Sequence, residues 1–145
     1  MLRMATISLD SATAEKVKAD AVVIGVTETE SGPRLAPGAE SIDEAFGGRL
    51  VETLVALDVT GKQDQLRRVP TLGTTTAPVV VAVGLGRDAI TDEALRRAAG
   101  RATRTLAGTR RVAIALPRDS EGSVRAIAEG ALLGAYAFRS YRSNS

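Results

Sequence analysis

Gly84, Gly86 and Ala89 spell a loose G-x-G-x-x-A between an apolar run and a helical pattern. That is the arrangement by which a backbone turn approaches a dinucleotide pyrophosphate. Two features weaken the match. Asp92 and Glu93 occupy the first turn of the following helix, where the anion would sit, and would repel it. The acid that should end a second strand about 20 residues on has no counterpart, because that place falls in the turn around Gly108. A tight strand-to-helix connection is the simpler reading. Next along the chain, Arg96, Arg97, Arg101 and Arg104 fall on one side of the helix and form a candidate patch for phosphate or for an acidic partner. No aromatic residues interleave them, which counts against a single-strand nucleic-acid site and leaves a solvated arginine face as the simpler alternative. The carboxylates Glu28, Glu30, Glu40, Asp43 and Glu44 have no histidine or lysine in an acid/base or metal-ligand spacing. Thr74, Thr75 and Thr76 have no candidate base.

The 145 residues contain no cysteine and no histidine. Disulfides, zinc-finger sites, cysteine nucleophiles and Ser-His-Asp triads are therefore excluded within them. The net charge of +2 is unevenly spread. Residues up to Asp64 carry −5 and those from Gln65 onward +7, and all thirteen basic residues of the second part are arginine. With 44% apolar and 25% charged residues the composition is that of an ordinary globular domain, long enough to bury a core of its own. The opening MLRMATISLD has no apolar signal region, and no stretch approaches the roughly 18 apolar residues of a membrane span, so a cytoplasmic location is expected.

Val79 to Val83 is an unbroken apolar run, β-branched at four of its five positions, and predicts an interior strand ended by Gly84 and Gly86. Thr91 is the N-cap of the helix that follows, with Leu95, Ala98, Ala99, Ala102 and Leu106 as its buried stripe. Met4 to Leu9 predicts an edge strand, and Ala21 to Val26 a second interior strand in which Gly25 marks a close backbone approach. Thr27 to Ser41, with two prolines and two glycines, predicts a long loop. Ser41 and Glu44 form a capping box opening a helix through Ile42, Ala45, Phe46, Leu50, Leu54 and Leu57, weakened at Gly47 and Gly48. Asp58 to Leu72 predicts a hairpin turning at Gly61 to Asp64, its return strand confined to an edge by Pro70. Val112 to Leu116 is a further buried strand. Ser120 caps the last helix, whose stripe is Val124, Ile127, Ala128, Ala131, Ala135 and Phe138. Gly130 and Gly134 share one side of it at a spacing that lets another backbone come close, in a core or at a subunit interface. The pattern predicts an α/β fold, a three-layer α/β/α sandwich with a mixed, mostly parallel sheet.

The last helix carries the most specific signal. Glu129, Gly130, Leu133, Gly134, Tyr136, Phe138 and Tyr141 reproduce an E-G-x-x-L-G-x-Y-x-F-x-x-Y pattern. Together with Gly84 to Leu106 and Val112 to Pro117, it resembles the N-terminal domain of the cytosolic leucyl aminopeptidases. The resemblance implies a macro-domain-like fold over residues 1–145 as a single N-terminal domain. It implies that the catalytic C-terminal domain, with its N-T-D-A-E-G-R signature and two divalent metal ions (manganese or zinc), lies outside this chain. No catalytic, metal or cofactor residue is carried over. The implied partners are that catalytic domain, peptide substrates of the parent enzyme and further copies in a homo-hexamer, with the helix bearing Gly130, Gly134 and Tyr136 as a candidate interface. Some bacterial members also bind DNA, which gives the arginine face a second implied partner. An alternative from a different class is a stand-alone macro-like module binding ADP-ribose or nucleotide. For that reading Gly25 and Val26 stand where an asparagine-bearing strand end would be, and Ser31, Gly32 and Pro33 where a glycine run would be.

Overall fold

A computed structural model describes residues 6–8 and 19–143, with side chains for 19–135. In chain order the elements are β1 (Thr6–Ser8), β2 (Ala21–Thr29), β3 (Gly32–Leu35), α1 (Glu40–Ala45), α2 (Leu50–Ala56), β4 (Leu66–Pro70), β5 (Val79–Gly86), α3 (Asp92–Thr105), β6 (Arg111–Ala115) and α4 (Glu121–Ser143). They build one mixed sheet in the order β1-β6-β2-β5-β4. The β1–β6, β6–β2 and β2–β5 pairs are parallel, and β4–β5 is antiparallel. Beyond Ile24, β2 leaves β6 and pairs antiparallel with β3 from Val26 to Thr29.

The uninterrupted apolar runs have a direct cause: both sheet faces are covered, so successive side chains enter opposite cores. Ala21 and Val23 of β2, Val81 and Val83 of β5, and Val112 and Ile114 of β6 meet α3 and α4 on one face. Val22, Ile24 and Val26, with Val80, Ala82 and Ala113, meet Ile42 of α1 and Leu50 and Leu54 of α2 on the other. The result is a three-layer α/β/α fold.

In α3 the cap and stripe lie where the spacing places them. Thr91 Oγ1 accepts from the Ala94 N–H at 3.1 Å, and Leu95, Ala98, Ala99, Ala102 and Leu106 are all buried. At the start of α4, Ser120 Oγ accepts from the Ser123 N–H at 3.0 Å. Gly47 and Gly48 do break the preceding helical pattern, into α1 and α2.

Several expectations are corrected. Thr27 to Ser41 is not a loop: β2 runs to Thr29 and turns back into β3, with Gly32 at φ +114°. Glutamate, threonine and proline read as turn chemistry, but the pairing is made by backbone groups. The Ser41/Glu44 capping box does not form. Helix α1 starts at Glu40, its N-cap Ala39 makes no side-chain bond, and the Glu40 carboxylate accepts from the Gly38 N–H instead. Asp58 to Leu72 is not a hairpin; β4 pairs with β5 across the loop 71–78. Pro70 does lie on the sheet edge. Gly86 ends β5, at φ +89°, whereas Gly84 lies inside it. In α4 the buried side turns toward Ser123, Ala126, Ile127 and Ala131, leaving Val124 39% exposed. Phe138 and Tyr136 lie in α4 with side chains outside the described residues. Of Met4 to Leu9, Thr6–Ser8 form β1 at a sheet edge, and Met4, Ala5 and Leu9 lie outside the described residues.

Candidate functional site

Two places could hold chemistry: the carboxyl end of the parallel strands, and the outer face of α3 and α4. Open α/β sheets bind ligands at the first, in the crevice above the strand ends. Here the chain segment 58–65 fills that place. The Gly86 N–H donates to the Gly61 carbonyl at 2.9 Å, the Gly84 N–H to the Gln65 carbonyl at 2.7 Å, and the Asp64 N–H to the Gly84 carbonyl at 3.2 Å. One side chain ties the segment together. Gln65 Oε1 accepts from the N–H groups of Thr60 (2.8 Å) and Gly61 (3.1 Å), while its Nε2 donates to the Asp58 carbonyl at 3.3 Å.

The glycines at this end serve the protein's own backbone. A Cβ on Gly84 would lie 1.8 Å from the Lys62 carbonyl oxygen, and one on Gly61 2.4 Å from that of Thr27. A Cβ on Gly25 would fall 2.7 Å from Leu85 Cδ1, so the gap there is filled by a leucine. The dinucleotide motif at Gly84, Gly86 and Ala89 and the ADP-ribose reading built on Gly25, Val26 and Ser31 to Pro33 both need a free crevice. Gly32 sits instead in the β2–β3 turn, with open space where a Cβ would lie.

On the other face, α3 and α4 lie so close that three glycines replace side chains between them. A Cβ on Gly130 would be 2.0 Å from the Arg96 carbonyl oxygen, one on Gly134 2.5 Å from that of Gly100, and one on Gly100 3.1 Å from that of Gly130. The close approach signalled by Gly130 and Gly134 is therefore made to α3 of the same chain. Outside this seam runs an open groove of about 360 Å³, with glycine backbone as its floor and Leu133 and the four arginines along it.

The arginines are not equivalent. Arg96 donates to Glu93 at 2.6 Å and to Glu129 of α4 at 3.2 Å, bridging the two helices. Arg97 is paired with Asp64 of the segment that fills the crevice. Arg101 and Arg104 are exposed and form no ion pair among the described residues. The bond to Glu93, and then that to Glu129, holds the Arg96 guanidinium above its ordinary pKa. The folded state therefore favours protonated Arg96 below the ordinary arginine range and loses that preference only as pH rises through the raised value, so it is constant around neutrality. Sequence spacing found the four arginines but not their two classes, because both neutralising acids outside α3 are 33 residues away in the chain.

The carboxylates singled out by sequence do not converge. Glu28 pairs with Arg87 at 3.4 Å, Glu40 caps Gly38, and Asp43 Oδ1 accepts from the Leu50 N–H at 3.1 Å. Among the described residues no three acidic side chains stand close enough to hold a metal ion. Thr74 and Thr75 bond to the carbonyls of Thr71 and Ala77 within their own loop. Among the described residues no helix is long and apolar enough to cross a membrane.

Comparison with known proteins matches residues 23–145 to the cytosol aminopeptidase family, N-terminal domain. A protein described as a probable cytosol aminopeptidase of Streptomyces griseus is 48% identical over 96% of this chain. One of the same description from Streptomyces coelicolor is 44% identical over 98% of it. The chain spans only 28% of the length of each. Among solved structures, a mutant of tomato leucine aminopeptidase superposes over 92% of this chain and 28% of its own with a TM-score of 0.68 at 21% identity, a likeness of fold. The bottromycin maturation enzyme BotP gives 0.58 at 26% identity, over 86% of this chain and 25% of its own.

Proposed function

The chain belongs to the cytosol aminopeptidase family as its N-terminal domain, and from that premise we propose that it is a non-catalytic domain that helps assemble, and shapes access to, a metal-dependent leucyl aminopeptidase site carried by the remainder of a longer polypeptide. The observation that carries this reading is the pairing of a family match over residues 23–145 with relatives more than three times as long. Its own residues do structural work: glycines admit backbone, carboxylates cap helix ends or pair with arginine, and the strand-end crevice is filled from within. The two divalent ions, manganese or zinc, belong in this reading to the catalytic portion, where they would polarise the scissile carbonyl and activate water. Residues 1–145 then form a single domain of a cytoplasmic homo-hexamer, and peptides are substrates of the parent enzyme.

The test compares two preparations with leucine amide and manganese. The 145-residue chain should give no turnover and the full-length polypeptide should hydrolyse the amide. Hydrolysis by the short chain alone would overturn the reading, as would a native gene product whose mass is near the 15.1 kDa of this chain.

A further inference from the structure

The α3–α4 groove contains features that a purely positioning role leaves unused. Arg101 and Arg104, one turn apart, repel each other across the helix surface and form no ion pair among the described residues, although Asp64 lines the same groove. Beside them Leu133 is 62% exposed, and Leu132 on the adjoining side of α4 is 61% exposed. Large apolar side chains in water on a helix that buries Gly130 and Gly134 beside them mark a surface built for contact. The groove thus offers a positive wall, an apolar rim and a neutral floor.

Resting on the function proposed above, we infer that this groove seats an acidic segment with an apolar anchor from the catalytic portion of the same polypeptide. Charge complementarity sets the sign of the occupant, since Arg101 and Arg104 stand outside the pairs that Arg96 and Arg97 make with Asp64, Glu93 and Glu129, and the cluster keeps a net positive charge. Size sets its connectivity. Nine residues line the groove, few beside the roughly 20–30 a side that a separate protein partner needs for a stable interface. A segment tethered to the same chain is held at an effective concentration near millimolar, at which a small contact suffices. The chain spans 28% of its relatives, so most of such a polypeptide is available to supply it. Two unpaired arginines without aromatic neighbours among the described residues are a poor seat for nucleic acid, which gains affinity from many phosphate contacts or from stacking.

The experiment uses the full-length polypeptide with p-benzoylphenylalanine in place of Leu133 and, in a second preparation, in place of Arg104. Irradiation followed by peptide mass mapping should give a crosslink within one polypeptide, from the groove to a peptide beyond residue 145 that contains aspartate or glutamate. Adding R101E and R104E to the Leu133 preparation should lower the crosslink yield at least threefold. A crosslinked species of twice the chain mass would assign the groove to a second copy. A crosslink to co-purifying nucleic acid would assign it to a polyanion. Either result, the absence of a crosslink from both positions, or an undiminished yield in the charge-reversed protein, overturns the inference. Leucine amide turnover in the same preparations separates the two proposals. Activity without the intrachain crosslink removes only the docking segment, whereas a folded but inactive full-length protein removes the aminopeptidase reading and the docking inference with it.

Discussion

Across β2, the α3–α4 layer and the α1–α2 layer bury similar strand side chains with different materials. Helices α3 and α4 have 14 and 23 residues, side-chain caps from Thr91 and Ser120, and a seam in which glycine meets backbone. Helices α1 and α2 have 6 and 7 residues, no side-chain N-caps, and rely on Ile42, Leu50 and Leu54, all fully buried. Propensity alone would not sustain helices that short, so their stability is tertiary. One layer is held by backbone proximity and the other by side-chain bulk, and the two should fail differently under substitution.

The sharpest break is expected at the glycine seam. Gly130→Leu would drive a side chain into the Arg96 carbonyl, and because a backbone of two packed helices cannot yield as a side chain can, the loss should reach about 3 kcal/mol or more, the upper end of overpacking penalties. Since small domains have only about 5–15 kcal/mol of stability, urea midpoints should fall steeply; a change within about 0.5 kcal/mol would show that the seam is looser than described. In the other layer, Leu54→Ala leaves a cavity and should cost about 3 kcal/mol. Circular dichroism and hydrogen exchange on that variant decide whether α1–α2 opens before α3–α4; one coincident transition would erase the distinction between the layers.

Smaller effects refine it. Thr91→Ala removes the Ala94 bond and should cost about 1 kcal/mol in thermal unfolding, and Asp43→Ala, which removes the acceptor for Leu50 N–H, about as much. Equal losses would mean that α2 is capped from a distance as effectively as α3 is locally. Least of all, a double-mutant cycle on Arg97 and Asp64 should give a coupling below about 1 kcal/mol that shrinks as salt is raised, as for other exposed pairs.

Much of the fold was legible because periodicity is local. The stripe of α3, from Leu95 to Leu106, follows from spacing alone, and the two-sided burial of Ala21 to Val26 and Val79 to Val83 follows from their lack of polar alternation. What escaped was non-local. The β2–β3 hairpin uses backbone bonds that glutamate and proline composition conceals, and β4 finds its partner across the loop 71–78 rather than at the expected turn of Gly61 to Asp64. The stripe of α4 holds at Ile127 and Ala131 but not at Val124, which is apolar yet faces out, while Ser123 is polar yet buried. At the site, spacing located Gly130, Gly134 and the arginine row but not what each meets, since Gly100, Asp64 and Glu129 come from other parts of the chain. The resemblance carried by Glu129 to Tyr141 reached the family that the match over residues 23–145 shows.

The glycine seam has a mechanical consequence. Helix α4 is a rod of about 35 Å, at 1.5 Å for each of its 23 residues. Gly130 and Gly134 clamp it against the α3 backbone with only the short Thr103 side chain at the joint, which therefore works as a bearing with little clearance. A rod held that way transmits orientation rather than absorbing it. Any load applied at its far end is delivered to the sheet as a rigid rotation, and any repacking of α3 is delivered outward along the rod.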